Sequence, residues 1–144
     1  MALDKVIYTA HATAVGGRDK GSARTNDGAL EVKLDTPIEM GGKGGGTNPE
    51  QMFAIGYASC FIGALQATAK AKHVDLPSDT TIASSVAFGT RSKGLKGYNL
   101  GVEMRVTIPG MDRAQAEMLV MGAHDICPYS NATRDNVDVT LTVV

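Results

Sequence analysis

Two cysteines occur in the 144 residues, and they stand in different settings. Cys60 lies in the middle of a long uncharged run with Phe53, Tyr57, Phe61 and Leu65, whereas Cys127 comes at the end of an expected helix, just before Pro128. A thiol packed mid-helix ordinarily serves as a small inert hydrophobe, so Cys60 needs support from the rest of the chain before it counts as reactive. The other chemistry-bearing residue types offer less. His11, His73 and His124 lack metal-ligand spacing and the cysteines form no CxxC pair, so no zinc site is expected. Residues 41–46 form a glycine-rich run ahead of a helix, but neither a Gly-Lys-Ser/Thr ending nor GxGxxG spacing follows, which argues for a flexible loop rather than a nucleotide cradle. Ser59 and Ser130 sit in no GxSxG elbow. Thiol redox chemistry is what remains, with no cofactor or metal expected.

Composition narrows the partners. Fourteen basic against fifteen acidic residues give a net charge of −1, spread without long blocks, so neither nucleic acid nor an anionic membrane is indicated. At 43% hydrophobic residues, the chain reads as one domain over residues 1–144, able to bury a core without disulfide staples. Charges at Asp4 and Lys5 fall where a secretory peptide needs its apolar stretch, so a cytoplasmic, reducing compartment is expected.

The elements that must position the thiols follow from pattern. Residues 6–15 are rich in β-formers, residues 30–35 alternate apolar with charged side chains, and Asn26-Asp27-Gly28 between them signals a hairpin turn. Asn48, Pro49 and Glu50 suit the cap, first position and first turn of a helix over residues 49–73. Residues 81–91 and 98–108 predict two strands joined through Gly94 and Gly97. Asp112 with Gln115 resembles a capping box that starts a second helix ending near Cys127-Pro128, and residues 137–143 close the chain as a strand. This order predicts an α+β fold with mainly antiparallel sheet and a long central helix. Residues 51–69 carry no formal charge, long enough to raise a membrane span. Gln51, Ser59, Gln66 and Thr68 dilute the apolarity, and strands flank it, so a buried helix is the better reading. Such a helix has more apolar circumference than one small domain covers, which predicts a homodimer, with Gly56 and Gly63 permitting close approach of a second helix.

The segments Gly41-Gly-Lys-Gly-Gly-Gly-Thr-Asn-Pro-Glu50, Gln51-Met-Phe-Ala-Ile-Gly-Tyr-Ala-Ser-Cys-Phe61 and Ile126-Cys-Pro-Tyr-Ser-Asn-Ala-Thr-Arg134 closely resemble the organic hydroperoxide resistance proteins of the OsmC/Ohr family. The resemblance spans essentially the whole chain; Ser59, where many relatives have a small apolar residue, is a minor departure. It implies an intertwined homodimer of α+β fold acting as a cysteine-based peroxidase of alkyl and lipid hydroperoxides, reduced by a dithiol on a lipoylated protein. It also assigns roles by position: Cys60 the peroxidatic cysteine, Cys127 the resolving cysteine, and Arg18 with Glu50 the polar pair serving the reactive sulfur. A broader-specificity OsmC-type peroxidase and a non-enzymatic dimeric binding module are the competing readings.

Chemistry places demands on such a site. A peroxidatic thiol reacts as thiolate, yet a free cysteine has a pKa of about 8.5, and the helix dipole fades within the first turn, far short of Cys60. An arginine is a suitable activator because it stays charged and donates in a fixed fork. Glu50 would hold it by a bidentate pair. Glu50 and Cys60 are separated by about 15 Å along a straight helix, so either the helix is interrupted or Glu50 serves the partner subunit's site. Phe53, Tyr57, Phe61, Met104, Met118 and Met121 are candidates to line an apolar pocket for the organic group.

Overall fold

A computed structural model of the chain describes residues 3–92 and 94–144; Met1 and Ala2, the start of the N-terminal stretch read above, lie outside them. The chain divides into two compact units, Met1–Pro49 and Glu50–Val144.

The first unit is an antiparallel sheet of three short strands in the order β1 (Ala12–Val15), β2 (Ser22–Thr25), β3 (Glu31–Lys33). Two sequence expectations change here. The strand over residues 6–15 shrinks to Ala12–Val15, and a second strand, Ser22–Thr25, intervenes before the Asn26-Asp27-Gly28 turn. That turn therefore joins β2 to β3, with Gly28 at φ 73° and the Asp27 carboxylate accepting from the Ala29 amide at 3.0 Å. β2 is short and polar, so it offers no apolar alternation to read. The glycine-rich loop folds around a carboxylate of its own chain. Asp35 accepts from the amides of Thr36 at 2.9 Å and Gly45 at 2.7 Å, so the loop expected to be flexible is tied at these points.

The second unit carries both cysteines. Helix α1 (Pro49–Ala71) begins at the expected proline and runs without interruption. Strands β4 (Thr81–Thr90) and β5 (Tyr98–Thr107) pair antiparallel from Thr81 opposite Thr107 to Thr90 opposite Tyr98. The turn between them uses Gly94 and Gly97, both at positive φ. Helix α2 (Arg113–Ile126) starts as predicted, the Asp112 carboxylate accepting from the Gln115 amide at 3.1 Å. A short helix α3 (Pro128–Thr133), absent from the sequence reading, follows Cys127 at once. Strand β6 (Asp138–Val143) then pairs parallel to β5, so the sheet is mixed rather than wholly antiparallel.

One face of this sheet holds the core. On β5, Val102, Met104 and Val106 are buried at period two, as a half-buried strand requires. They meet Tyr57, Phe61, Ala64, Leu65 and Ala69 of α1 and Ala116, Leu119, Val120 and Ala123 of α2 in a single cluster that includes Cys127. The buried residues of α1 recur at helical spacing along one stripe. The opposite side is left uncovered within this unit, Ile55 being 67% exposed. Among the described residues α1 is the one helix long and apolar enough to cross a membrane, a test that the core helix of a soluble protein also passes.

Candidate active site

Packing explains why the two thiols meet. Cys60 projects from the middle of α1, half-buried, one residue before the fully buried Phe61. Cys127 sits at the joint of two helices. Its amide donates to the Ala123 carbonyl, closing α2, and its own carbonyl accepts from Asn131, opening α3, both at 2.9 Å. Pro128 fits the first position of α3 because no amide is needed there. The joint seats the Cys127 side chain in the core at 0% exposure. Its thiol donates to the Cys60 sulfur at 3.6 Å, and both cysteines are free. Two residues 67 apart in sequence are thus in sulfur–sulfur contact.

The electrostatics of unit two do not activate Cys60. Burial pushes its thiol pKa up, the backbone amide of Tyr129 pulls the other way, and neighbouring Cys127 adds to the rise. A donor such as the Cys127 S–H would favour a Cys60 thiolate on its own. Since the two thiols share one site, charge on one opposes charge on the other, and burial decides the direction.

The remaining sequence-predicted residues fall as follows. Glu50 stands half-buried in the first turn of α1. Because the helix is continuous, ten residues separate it from Cys60 by about 15 Å of rise, and the alternative of an interrupted helix is removed. Arg18 lies in the first unit, half-buried in the turn between β1 and β2, with Nη1 3.9 Å from Met40 Sδ. The expected pocket needs correction. Tyr57, Phe61 and Met104 are fully buried core, while Met118 and Met121 are 42% and 58% exposed. Phe53 lines an apolar cleft of about 460 Å³ together with Leu100, Tyr129, Ala132, Thr133 and Val137, and Met121 lines a separate one of about 280 Å³ with Val120, Leu141 and Val143. Gly56 also differs from expectation. An added Cβ there would come within 3.1 Å of the Tyr129 hydroxyl, so this glycine admits Tyr129 of the same chain, whereas nothing lies within 4 Å of the equivalent point at Gly63.

A buried polar chain went unread in the sequence. Tyr57 Oη lies 3.0 Å from Ser130 Oγ and 3.2 Å from Thr133 Oγ1, and Ser130 Oγ lies 2.9 Å from His124 Nδ1. Burial, then the Arg134 charge, lowers the His124 pKa, and Asp125 opposes this in part. The available signal was Pro128 directly after a helix end, which fits the start of another helix bearing Ser130 and Thr133.

Comparison with known proteins places the chain in a family. Residues 42–142 match the OsmC-like protein family. The chain is 55% identical over 141 residues to an organic hydroperoxide resistance protein of Xanthomonas axonopodis pv. citri, covering 97% of this chain and 96% of that one. It is 42% identical over 135 residues to the organic hydroperoxide resistance protein OhrB of Bacillus subtilis, at 94% and 96% coverage. Among solved structures, an organic hydroperoxide resistance protein of Legionella pneumophila superposes with a TM-score of 0.89 at 46% identity, covering 96% of this chain and 98% of that one. One from Vibrio cholerae, with captopril bound in one of its active sites, gives 0.89 at 41% identity, covering 97% and 94%. Sequence, fold and the facing thiols together make this chain a member of the OsmC-like family, on its organic hydroperoxide resistance side.

Proposed function

We propose that the protein is a thiol peroxidase that reduces organic hydroperoxides to alcohols through Cys60 and Cys127. The observation that carries this reading is the 3.6 Å contact between two free thiols from distant parts of the chain. In the first step the Cys60 thiolate attacks the outer peroxide oxygen. The O–O bond breaks, the alkoxide leaves with a proton as alcohol, and Cys60 becomes a sulfenic acid. Cys127 then attacks that sulfur. The S–O bond breaks, water leaves, and a Cys60–Cys127 disulfide forms, the sulfurs closing from 3.6 Å to about 2.05 Å. A dithiol restores both thiols and is itself oxidised to a cyclic disulfide. A dihydrolipoyl group on a partner protein suits this, because its second step is intramolecular, whereas a monothiol awaits another collision.

Activation is assigned to Arg18 and Glu50. Arg18 lowers the cost of the Cys60 thiolate that burial raises, and it stabilises the negative oxygen leaving in the transition state. Glu50 fixes that guanidinium. The unbroken α1 supports a site completed by Glu50 of a second copy, and the uncovered face of the same helix supports a homodimer. The plural active sites of the Vibrio cholerae relative fit that reading. The protein acts as one functional domain in the cytoplasm, where reductant is available. The Phe53–Tyr129 cleft offers apolar surface to the organic group.

Steady-state turnover of cumene hydroperoxide and hydrogen peroxide, each with dihydrolipoamide and glutathione, tests the reading. The organic substrate and the dithiol should be favoured by at least about tenfold, since each buried methylene contributes about 0.8 kcal/mol. Equal use of hydrogen peroxide would mark a broader OsmC-type enzyme, and two thiols untouched by hydroperoxide would mark a binding module.

A further inference from the structure

The polar chain beside the thiols is satisfied when it runs in one direction, set by the carbonyls within reach of Thr133. Thr133 Oγ1 donates its single proton back to a carbonyl of its own helix, Tyr129 O at 2.9 Å or Ser130 O at 3.1 Å. It can therefore only accept from Tyr57. Tyr57 has one proton and spends it on Thr133, so toward Ser130 it accepts. In this polarity Ser130 has spent its own proton, and its oxygen accepts from His124, whose Nδ1 then carries the proton. The whole run, His124 to Ser130 to Tyr57 to Thr133, is satisfied in one polarity. It links the last turn of α2, both turns of α3 and the middle of α1. Ser130, Tyr57 and Thr133 are buried, so a broken link leaves a polar group without water to replace its partner.

Cys127 lies within the span of this chain, between His124 and Ser130, and Tyr57 lies one helical turn before Cys60 on α1. We infer that the His124–Ser130–Tyr57–Thr133 chain is a positioning device for Cys127, holding the α2–α3 joint against α1 so that the Cys60 sulfenic acid is resolved rather than overoxidised. This rests on the proposed peroxidase reading. Two reactions compete for the sulfenic acid. In one, Cys127 displaces its oxygen as water and a disulfide forms. In the other, a second hydroperoxide transfers an oxygen, leaving an alcohol and a Cys60 sulfinic acid. Resolution is intramolecular and depends on sulfur–sulfur approach, whereas overoxidation depends on peroxide concentration alone. A looser joint slows only the first.

The test measures, by rapid quench and intact mass, the rate of first oxidation of Cys60 and the cumene hydroperoxide concentration at which half of Cys60 becomes sulfinic. Tyr57→Phe and Ser130→Ala should leave the first rate within about twofold and lower that concentration by roughly tenfold, equivalent to about 1.4 kcal/mol, in the range for one or two lost hydrogen bonds. His124→Leu should act likewise, and His124→Asn, which keeps a donor near the Nδ1 position, should restore much of the difference. In 15N spectra, wild-type His124 should show the Nδ1–H form, and Tyr57→Phe should release that preference by freeing the Ser130 proton. Val102→Ala, a core change on β5, is the control for lost stability and should leave the half-sulfinic concentration unchanged. An unchanged half-sulfinic concentration in Tyr57→Phe and Ser130→Ala, with the wild type still forming its disulfide, overturns the inference alone. Failure of the wild type to form a Cys60–Cys127 disulfide overturns the peroxidase reading itself.

Discussion

A mixed dimer gives the sharpest test of where Glu50 acts. Helix α1 is unbroken from Pro49 to Ala71, which puts Glu50 about 15 Å from Cys60 along the axis, and ten residues at 100° each turn it to a different side. A glutamate side chain cannot span that distance to its own Cys60. If the site pairs Cys60 of one copy with Glu50 of the other, a heterodimer of Cys60→Ser and Glu50→Gln subunits contains one intact site. It joins Cys60 of the glutamine subunit to Glu50 of the serine subunit. Co-expression with two affinity tags isolates that species. Its turnover per dimer should be half of wild type. Cys60→Ser homodimers should be inactive, and Glu50→Gln homodimers should fall by about tenfold or more, since a hydrogen bond to a charged group contributes about 1.5–3 kcal/mol. A site drawn from one chain predicts a heterodimer no better than half the Glu50→Gln homodimer. That result would refute the shared site and leave the straight helix without a role for Glu50.

Other outcomes follow from the same structure. Cys127→Ser should allow one oxidation of Cys60 and then accumulate sulfenic and sulfinic forms, visible by mass; a fully recyclable Cys60 in that variant would remove the resolving role. Burial holds the Cys60 pKa up and a cation must bring it down, so Arg18→Ala should move the inflection of the pH–rate profile upward. Above that inflection, where the thiol is ionised, the variant should still be slower, because the leaving oxygen has lost its donor; full recovery at high pH would reduce Arg18 to an ionising role. Unfolding midpoints should rise with protein concentration, as dimerisation coupled to folding requires, and a folded, active monomer at low micromolar concentration would contradict this. Gly56→Leu should destabilise by about 1–3 kcal/mol through overpacking against Tyr129, read as a lower denaturant midpoint, whereas Gly63→Leu tests the uncovered face instead.

How much the sequence disclosed depends on where the information lay. The central helix, the β4–β5 hairpin and the Asp112 cap are local features. Each rests on residues a few positions apart, and each was readable to within two residues. β2 was not, because Ser22-Ala-Arg-Thr25 has no apolar period and is a strand only through its two neighbours. α3 was not, because six residues carry little periodicity and Pro128 reads equally as a stop or a start. The thiol pair is different again. Local pattern leaves Cys60 an inert hydrophobe, and the likeness of two short segments to a known family selected it. The sulfur contact joins residues that no local rule connects. The pocket was legible only in part because side-chain type alone cannot separate core from lining: Met104 is fully buried, whereas Phe53 and Met121 line two separate clefts.

Burial and reactivity are in tension at Cys60, and the roles proposed for Arg18 and Glu50 would resolve it. The core that brings Cys127 into contact with Cys60 also removes water from the sulfur and disfavours its thiolate. Within Glu50–Val144 the Tyr129 amide acts on the Cys60 thiol in the opposite direction. Of the charges that the proposed chemistry needs, Arg18 belongs to the first unit and Glu50 lies two to three helical turns from Cys60 on α1. On the proposed reading, the Cys60 thiol is a good nucleophile where those charges act on it. The same helix that carries Cys60 leaves its other side uncovered, with Ile55 exposed and Gly63 open. If the proposed homodimer both covers this face and delivers Glu50, the two are one event, and the reactive sulfur should then exist only in the assembled dimer. A variant that weakens the dimer without touching Arg18, Glu50 or either cysteine, such as Ile55→Asp, should therefore lower the Cys60 oxidation rate in proportion to the monomer fraction measured by sedimentation. A dissociated chain that oxidised as fast as the dimer would show that the thiol draws its activation from its own subunit.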